Sequence, residues 1–133
     1  MRARRLALLG LAMFALGSAP PLPQQTRPAG TTRTDLQRHD LAIEGREVLQ
    51  ARVDFAPASS FPRHTHPGEE IIYVLEGSLE YEVAGKAVSL KAGDVLFVPA
   101  ETVHAARNIG TGNAAELATY VLEKGKPLTT IVE

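Results

Sequence analysis

From about residue 46 onward, apolar and polar positions alternate along the chain. In 48–55, Leu49, Ala51, Val53 and Phe55 fall on one face, while Gln50, Arg52 and Asp54 fall on the other. That period of two is the mark of a half-buried β-strand. Leu79, Tyr81 and Val83 alternate with Ser78, Glu80 and Glu82 in the same way. Ile71–Leu75 and Val95–Val98 are short, unbroken apolar runs rich in β-branched and aromatic residues, which predict more deeply buried strands. Residues 117–122 read as a last core strand. Turn signals punctuate these segments at Pro67-Gly68, Glu76-Gly77, Ala84-Gly85-Lys86, Ala92-Gly93-Asp94, Pro99 and Gly110-Thr111-Gly112-Asn113. No stretch after residue 46 carries a 3.6-residue apolar period of helical length. Many short strands with frequent turns predict an all-β sandwich or barrel. An immunoglobulin-like sandwich would carry a Cys…Trp…Cys pattern, and this chain has neither residue type.

The N-terminus follows another pattern. Arg2, Arg4 and Arg5 precede an apolar run from Leu6 to Leu16, and Gly17-Ser18-Ala19 follow. A basic start, a short apolar stretch and small residues predict a secretory signal peptide over 1–19. Eleven apolar residues are too few to cross a hydrocarbon core of ~30 Å, so no stable membrane span is expected. Residues 20–35, with Pro, Gln, Thr and Arg, read as a flexible linker, and 36–133 as one domain. The expected location is therefore exported, periplasmic or secreted.

Composition narrows the chemistry. The whole chain carries a formal charge of -1, and losing the three arginines of 1–19 would leave 11 basic against 15 acidic residues. Neither figure offers an electrostatic footprint for nucleic acid. The absence of cysteine excludes a disulfide framework, a zinc ribbon and a thiol nucleophile. An exported domain of this size must then rest on its core, on a metal, or on an oligomer interface.

Three of the four histidines occupy two short windows. His64 and His66 are two residues apart, so on a strand they point the same way with Cα atoms roughly 6.5–7 Å apart. Two imidazoles so placed can converge on one ion. Pro67-Gly68 turns the chain, after which the Glu70 carboxylate can reach back. His104, beyond the strand at 95–98, supplies a third imidazole if the two windows become neighbours. His39, between Arg38 and Asp40, reads as an ordinary surface residue.

Residues 64–77 have the form His-x-His-x3-Glu-x6-Gly, and residues 93–108 the form Gly-x5-Pro-x4-His-x3-Asn. In order and spacing these resemble the two motifs of the cupin superfamily, within it the small quercetinase-like and acireductone-dioxygenase-like group. Two glycines common in those motifs are replaced, by Ala58 and by Glu101. The resemblance implies a single-domain jelly-roll β-barrel with His64, His66, Glu70 and His104 around one metal ion. It also implies turns at Gly77 and Gly93, a stiffening Pro99, and a bracing role for Asn108. Neutral imidazoles with one carboxylate suit a divalent transition ion: Fe, Mn, Ni, Cu, Co or Zn.

The function so implied is a small-molecule oxidoreductase of dioxygenase type, taking O2 and an enol- or catechol-like substrate, with Glu70 as the catalytic proton acceptor. Two alternatives stand beside it: a metal-dependent isomerase, and a non-catalytic periplasmic module that binds or senses a small ligand or metal. Tyr73, Tyr81, Phe97, Arg107 and Tyr120 are candidate pocket residues, while Arg63 and Glu69 flank the ligands. Pairing of two copies through an edge strand in the 36–55 segment is a further expectation.

Overall fold

A computed structural model describes residues 28–133. The segment read as a signal peptide, 1–19, lies outside the described residues. Within them ten strands run in chain order: β1 (Thr31–Asp40), β2 (Arg46–Phe55), β3 (Ser60–Thr65), β4 (Gly68–Glu76), β5 (Ser78–Val83), β6 (Lys86–Lys91), β7 (Val95–Val98), β8 (His104–Asn108), β9 (Ala114–Glu123) and β10 (Thr130–Ile131). They form two five-stranded sheets, ordered β1-β2-β9-β4-β7 and β10-β3-β8-β5-β6. Every pairing is antiparallel. The described residues contain no helix, as the alternating pattern predicts.

The inner faces follow from that alternation. Leu49, Ala51 and Phe55 of β2 meet Ile72 and Val74 of β4, Leu79 and Tyr81 of β5, and Ala118, Tyr120 and Leu122 of β9 in one buried cluster. Each large side chain removed from water there contributes about 1.5–3 kcal/mol. Gly77, the hinge between β4 and β5, adopts φ 73°, and Gly93 ahead of β7 adopts φ 93°. Asn108 closes the end of β8, its Nδ2 donating to the carbonyls of Phe55, Ala56 and Gly112, while its Oδ1 accepts from the Gly110 amide.

Three sequence expectations shift. The segment read as linker to residue 35 already belongs to β1, which pairs with β2 from Thr31↔Phe55 to Asp40↔Glu47. Threonines 31, 32 and 34 favour extended backbone, and a strand at the sheet edge needs no apolar alternation, so its polar sequence hid it. The runs at 71–75 and 95–98 are not buried on both faces. Ile72, Val74 and Val98 point inward, but Ile71, Tyr73, Leu75, Val95 and Phe97 point out into solvent. An unbroken apolar run does not say whether its second face is covered.

Candidate metal centre

His64 lies near the end of β3 and His104 at the start of β8, and these strands pair so that the two residues stand directly opposite each other. Beyond His64 the chain continues through Thr65 to His66, whose side chain faces the same interior. Glu70 comes from the other sheet. It sits on β4 between Val98 of β7 and Tyr120 of β9 and points inward across the barrel. All four side chains are buried. The ring centroids lie 4.7 Å apart for His64 and His66, 4.1 Å for His64 and His104, and 5.0 Å for His66 and His104.

The outer nitrogens fix the roles of the inner ones. Nδ1 of His64 donates to the Pro62 carbonyl at 2.7 Å, Nδ1 of His104 to the Thr102 carbonyl at 2.8 Å, and Nδ1 of His66 to the Leu128 carbonyl at 2.6 Å. A carbonyl only accepts, so each Nδ1 carries a proton, and each ring when neutral turns a bare Nε2 lone pair inward. Nε2 of His64 and Nε2 of His66 approach to 3.2 Å. Oε2 of Glu70 stands 3.0 Å from Nε2 of His104 and 3.4 Å from Nε2 of His66. The three Nε2 atoms converge, and the Glu70 carboxylate stands against two of them, acceptors facing acceptors when the rings are neutral. A cation satisfies that arrangement, and the three histidines meet the spacing of a metal-binding group. Carbonyl-oriented imidazoles are the usual support for such ligation.

Without an ion, a proton takes its place. Burial works against a charged His104, but the hydrogen bond and charge of Glu70, aided by the Thr102 carbonyl, raise its pKa overall. Burial, followed by the charges of His104 and His66, lowers His64 to about 4. Burial also opposes ionisation of Glu70, yet its hydrogen bonds and charge interactions with His104 and His66 outweigh that and hold it at about 2. Tyr120 packs edge-on against His66 at 4.9 Å. Burial, with the charge of Glu70, drives its phenol well above the ordinary range.

Of the other candidate pocket residues, Tyr81 and Tyr120 are inside the barrel. Tyr73 and Phe97 are not, because their positions on β4 and β7 have outward parity, so neither lines the interior. Arg107 also faces out, paired with Glu80 at 2.8 Å, and Arg63 faces Glu82 at 3.7 Å. Glu69 pairs with Val121 on the outer side of its sheet. One interior carboxyl escaped the sequence reading. Glu116 of β9 is buried against the Tyr81 hydroxyl, and burial, with the charge of Glu70, raises its pKa well above the carboxylate range. Extending the alternation of Ala118, Tyr120 and Leu122 back by two residues would have placed it on the inner face. The Leu128 carbonyl, a backbone group, had no sequence signal.

Two antiparallel sheets closing over histidines on one side and a carboxylate on the other define a small jelly-roll barrel of the metal-binding type. The chain belongs to the cupin domain family, whose sequence model matches residues 51–122. It is 34% identical over 116 residues to germin-like protein subfamily 2 member 2 of Arabidopsis thaliana, covering 80% of this chain and 51% of that protein. It is 38% identical over 82 residues to the oxalate-binding protein of Thermotoga maritima, covering 61% of this chain and 68% of the relative. Among solved structures, oxalate oxidase in complex with the substrate analogue glycolate superposes with a TM-score of 0.64 at 27% identity, over 80% of this chain and 57% of that one. A cupin-like protein of Thermotoga maritima superposes with a TM-score of 0.63 at 23% identity, over 77% and 75%. The chain spans about half the length of the germin-like relatives it matches.

Proposed function

We propose that this protein is an exported, metal-dependent oxidoreductase of dioxygenase type, acting on a small enol, catechol or related oxygen-bearing anion. The observation that carries the reading is the convergence of three imidazole Nε2 atoms, with the Glu70 carboxylate against two of them. His64, His66, Glu70 and His104 would hold one divalent transition ion, manganese being among those that fit an N3O donor set. When bound, such an ion supplies Lewis-acid polarisation of a ligand oxygen and, if redox-active, electron exchange with substrate and O2.

The chain's own residues set the rest. The buried polar side chains among the described residues include neither Lys nor Arg. A divalent ion with Glu70 then leaves one net positive charge, which suits a singly ionised substrate. Glu70 would accept the substrate hydroxyl proton at Oε1, the carboxylate oxygen not turned toward His66 and His104, and Tyr120 would hold the carboxylate in place. The oxalate oxidase likeness supports oxidation of a small acid or its enol form. Export rests on the pattern of residues 1–19 alone.

A non-catalytic binding module is the second reading, favoured by the likeness to a protein named for binding oxalate. The test is oxygen uptake by protein loaded with Mn2+ or Fe2+, offered catechol, an enol or oxalate. Turnover abolished by His66→Ala supports the enzyme. Binding of the acid without O2 uptake supports the module.

We also propose that two copies pair through the outer face of β4 and β7, at the edge of the sheet opposite the 36–55 segment. Ile71 is 47% exposed, Tyr73 46%, Leu75 38%, Val95 67% and Phe97 57%, and the register places Ile71 beside Phe97 and Tyr73 beside Val95. Together they leave roughly 500 Å2 of side chain in water, near the top of what monomers expose. That is most of the ~800 Å2 each partner contributes to a stable interface. β7 is a free edge, able to pair antiparallel with its own copy across a two-fold axis. Sedimentation velocity should find a dimer that Phe97→Lys converts to monomer. A monomeric wild type at micromolar concentration refutes it.

A further inference from the structure

We infer that the C-terminal segment 124–132 is a built-in part of the metal centre, acting through Leu128 as a positioning residue for His66. This rests on the metal reading above. The three histidines are not supported alike. His64 and His104 donate Nδ1–H to carbonyls two residues earlier, Pro62 and Thr102, so each ring is oriented by its own stretch of chain. His66 has no such local partner. Its Nδ1–H goes to the Leu128 carbonyl, 62 residues away.

That carbonyl is delivered by a strap crossing between the sheets at the ligand-bearing end of the barrel. β9 ends at Glu123, whose amide donates to the Pro67 carbonyl at 2.9 Å, beside His66. The chain then passes to the far edge of the second sheet. There Thr130 pairs with Thr65 and Ile131 with His64, and the Val132 amide donates to the Arg63 carbonyl at 2.9 Å. Between these anchors the Leu128 side chain packs against the core. The strap thus grips both sides of the His64-Thr65-His66 stretch and orients the one ligand with no nearby carbonyl. It lies beyond residue 122, where the family match ends. The inward aim of Nε2 on His66 therefore depends on a docked strap, and ion binding and strap docking must favour each other reciprocally.

The experiment uses full-length protein with Leu128→Ala, which loosens the anchor, Leu128→Met, which keeps it, and Pro127→Gly, which slackens the strap without removing a core contact. Mn2+ and Zn2+ affinities are measured by chelator competition, and the His66 ring protons by nitrogen-correlated NMR of the metal-free protein. Loss of an orienting partner typically weakens ion binding by about 10- to 100-fold. Leu128→Ala and Pro127→Gly should show such a loss together with a vanished or shifted His66 Nδ1–H signal, while Leu128→Met stays within about twofold. Added Mn2+ should slow hydrogen exchange of the Ile131 and Val132 amides in the wild type. Unchanged affinity in both loosened variants overturns the inference, as does a His66 signal indifferent to them. Should the wild type bind neither ion, the metal reading itself falls, and the His66 signal still decides whether the strap orients that ring.

Discussion

Three residues among those described, Ala58, Ala84 and Glu101, hold a backbone conformation that glycine adopts more easily. Ala58 sits at φ 60° and Glu101 at φ 56°, and these are the two positions where a motif glycine is replaced. A side chain with a Cβ in this left-handed region costs about 1–2 kcal/mol. Glycine would relieve that cost, while its greater freedom in the unfolded chain offsets about 0.4–1 kcal/mol. Both side chains are exposed, so little packing is lost on truncation. Ala58→Gly and Glu101→Gly should each stabilise the fold by about 0.5–1 kcal/mol, raising Tm by roughly 2–6 °C for a domain of this size. The two turns precede β3 and β8 separately, so the gains should add. Gly77 is the control of opposite sign. At φ 73°, a Cβ there would stand 2.5 Å from the Asn113 carbonyl oxygen and 2.8 Å from Ala114, so Gly77→Ala should lose about 3 kcal/mol from backbone strain and overpacking together. Urea unfolding in the presence of a chelator reads all three without a contribution from bound ion. If either glycine substitution lowers the urea midpoint at unchanged slope, the reasoning is refuted.

Further outcomes follow from the site and its supports. Glu70→Gln should weaken Mn2+ binding at least about a hundredfold, since a direct ligand matters more than an orienting neighbour; calorimetric affinity close to wild type would remove Glu70 from the ligand set. Binding of an ion at neutral pH should release the proton that His104 and Glu70 share, visible as heats that vary with the ionisation enthalpy of the buffer. In the metal-free protein the depressed pKa of His64, about 4 instead of 6.5, makes the unfolded chain the better proton acceptor between those values. Its contribution is full above pH 6.5 and is lost as pH falls toward 4, by up to about 3 kcal/mol. His104, with a raised pKa, contributes fully below 6.5 and loses that as pH rises through its folded value. The stability difference between wild type and His64→Asn should therefore fall on acidification from pH 6.5 to 4, and a difference that grows would contradict the assignment. Asn108→Ala leaves the carbonyls of Phe55, Ala56 and Gly112 and the Gly110 amide without this partner, and should cost about 3 kcal/mol in urea unfolding.

The legible parts of the fold were those in which one face of a strand is buried and the other wet. Leu49 to Phe55 and Leu79 to Val83 alternate because only one side meets the core, so parity alone placed their side chains. β1 was not legible, because an edge strand with threonines and charges shows no such contrast. The runs at 71–75 and 95–98 gave their strands but not the side left bare, since apolar residues on an uncovered face read like apolar residues facing a core. At the centre, the order and spacing of the three histidines marked rings that stand together, with Glu70 against two of them, because fixed offsets along paired strands become fixed positions in space. Glu116 and the Leu128 carbonyl lay beyond reach for different reasons. One is a lone acid whose parity needed the strand extended past Leu117, and the other is a main-chain atom that any residue at 128 could present.

Glu70 reaches His66 and His104 from the opposite sheet, so a cation held by all of them would be tied to both layers of the barrel at once. In a chain without cysteine this is the tie that a crosslink would otherwise provide. An ion that binds the folded chain alone lowers the open population in proportion to its concentration over its dissociation constant. Wherever proteases sample the open chain, the lifetime of such a protein would follow the trace-metal supply of its surroundings, and scarcity of the ion would shorten it.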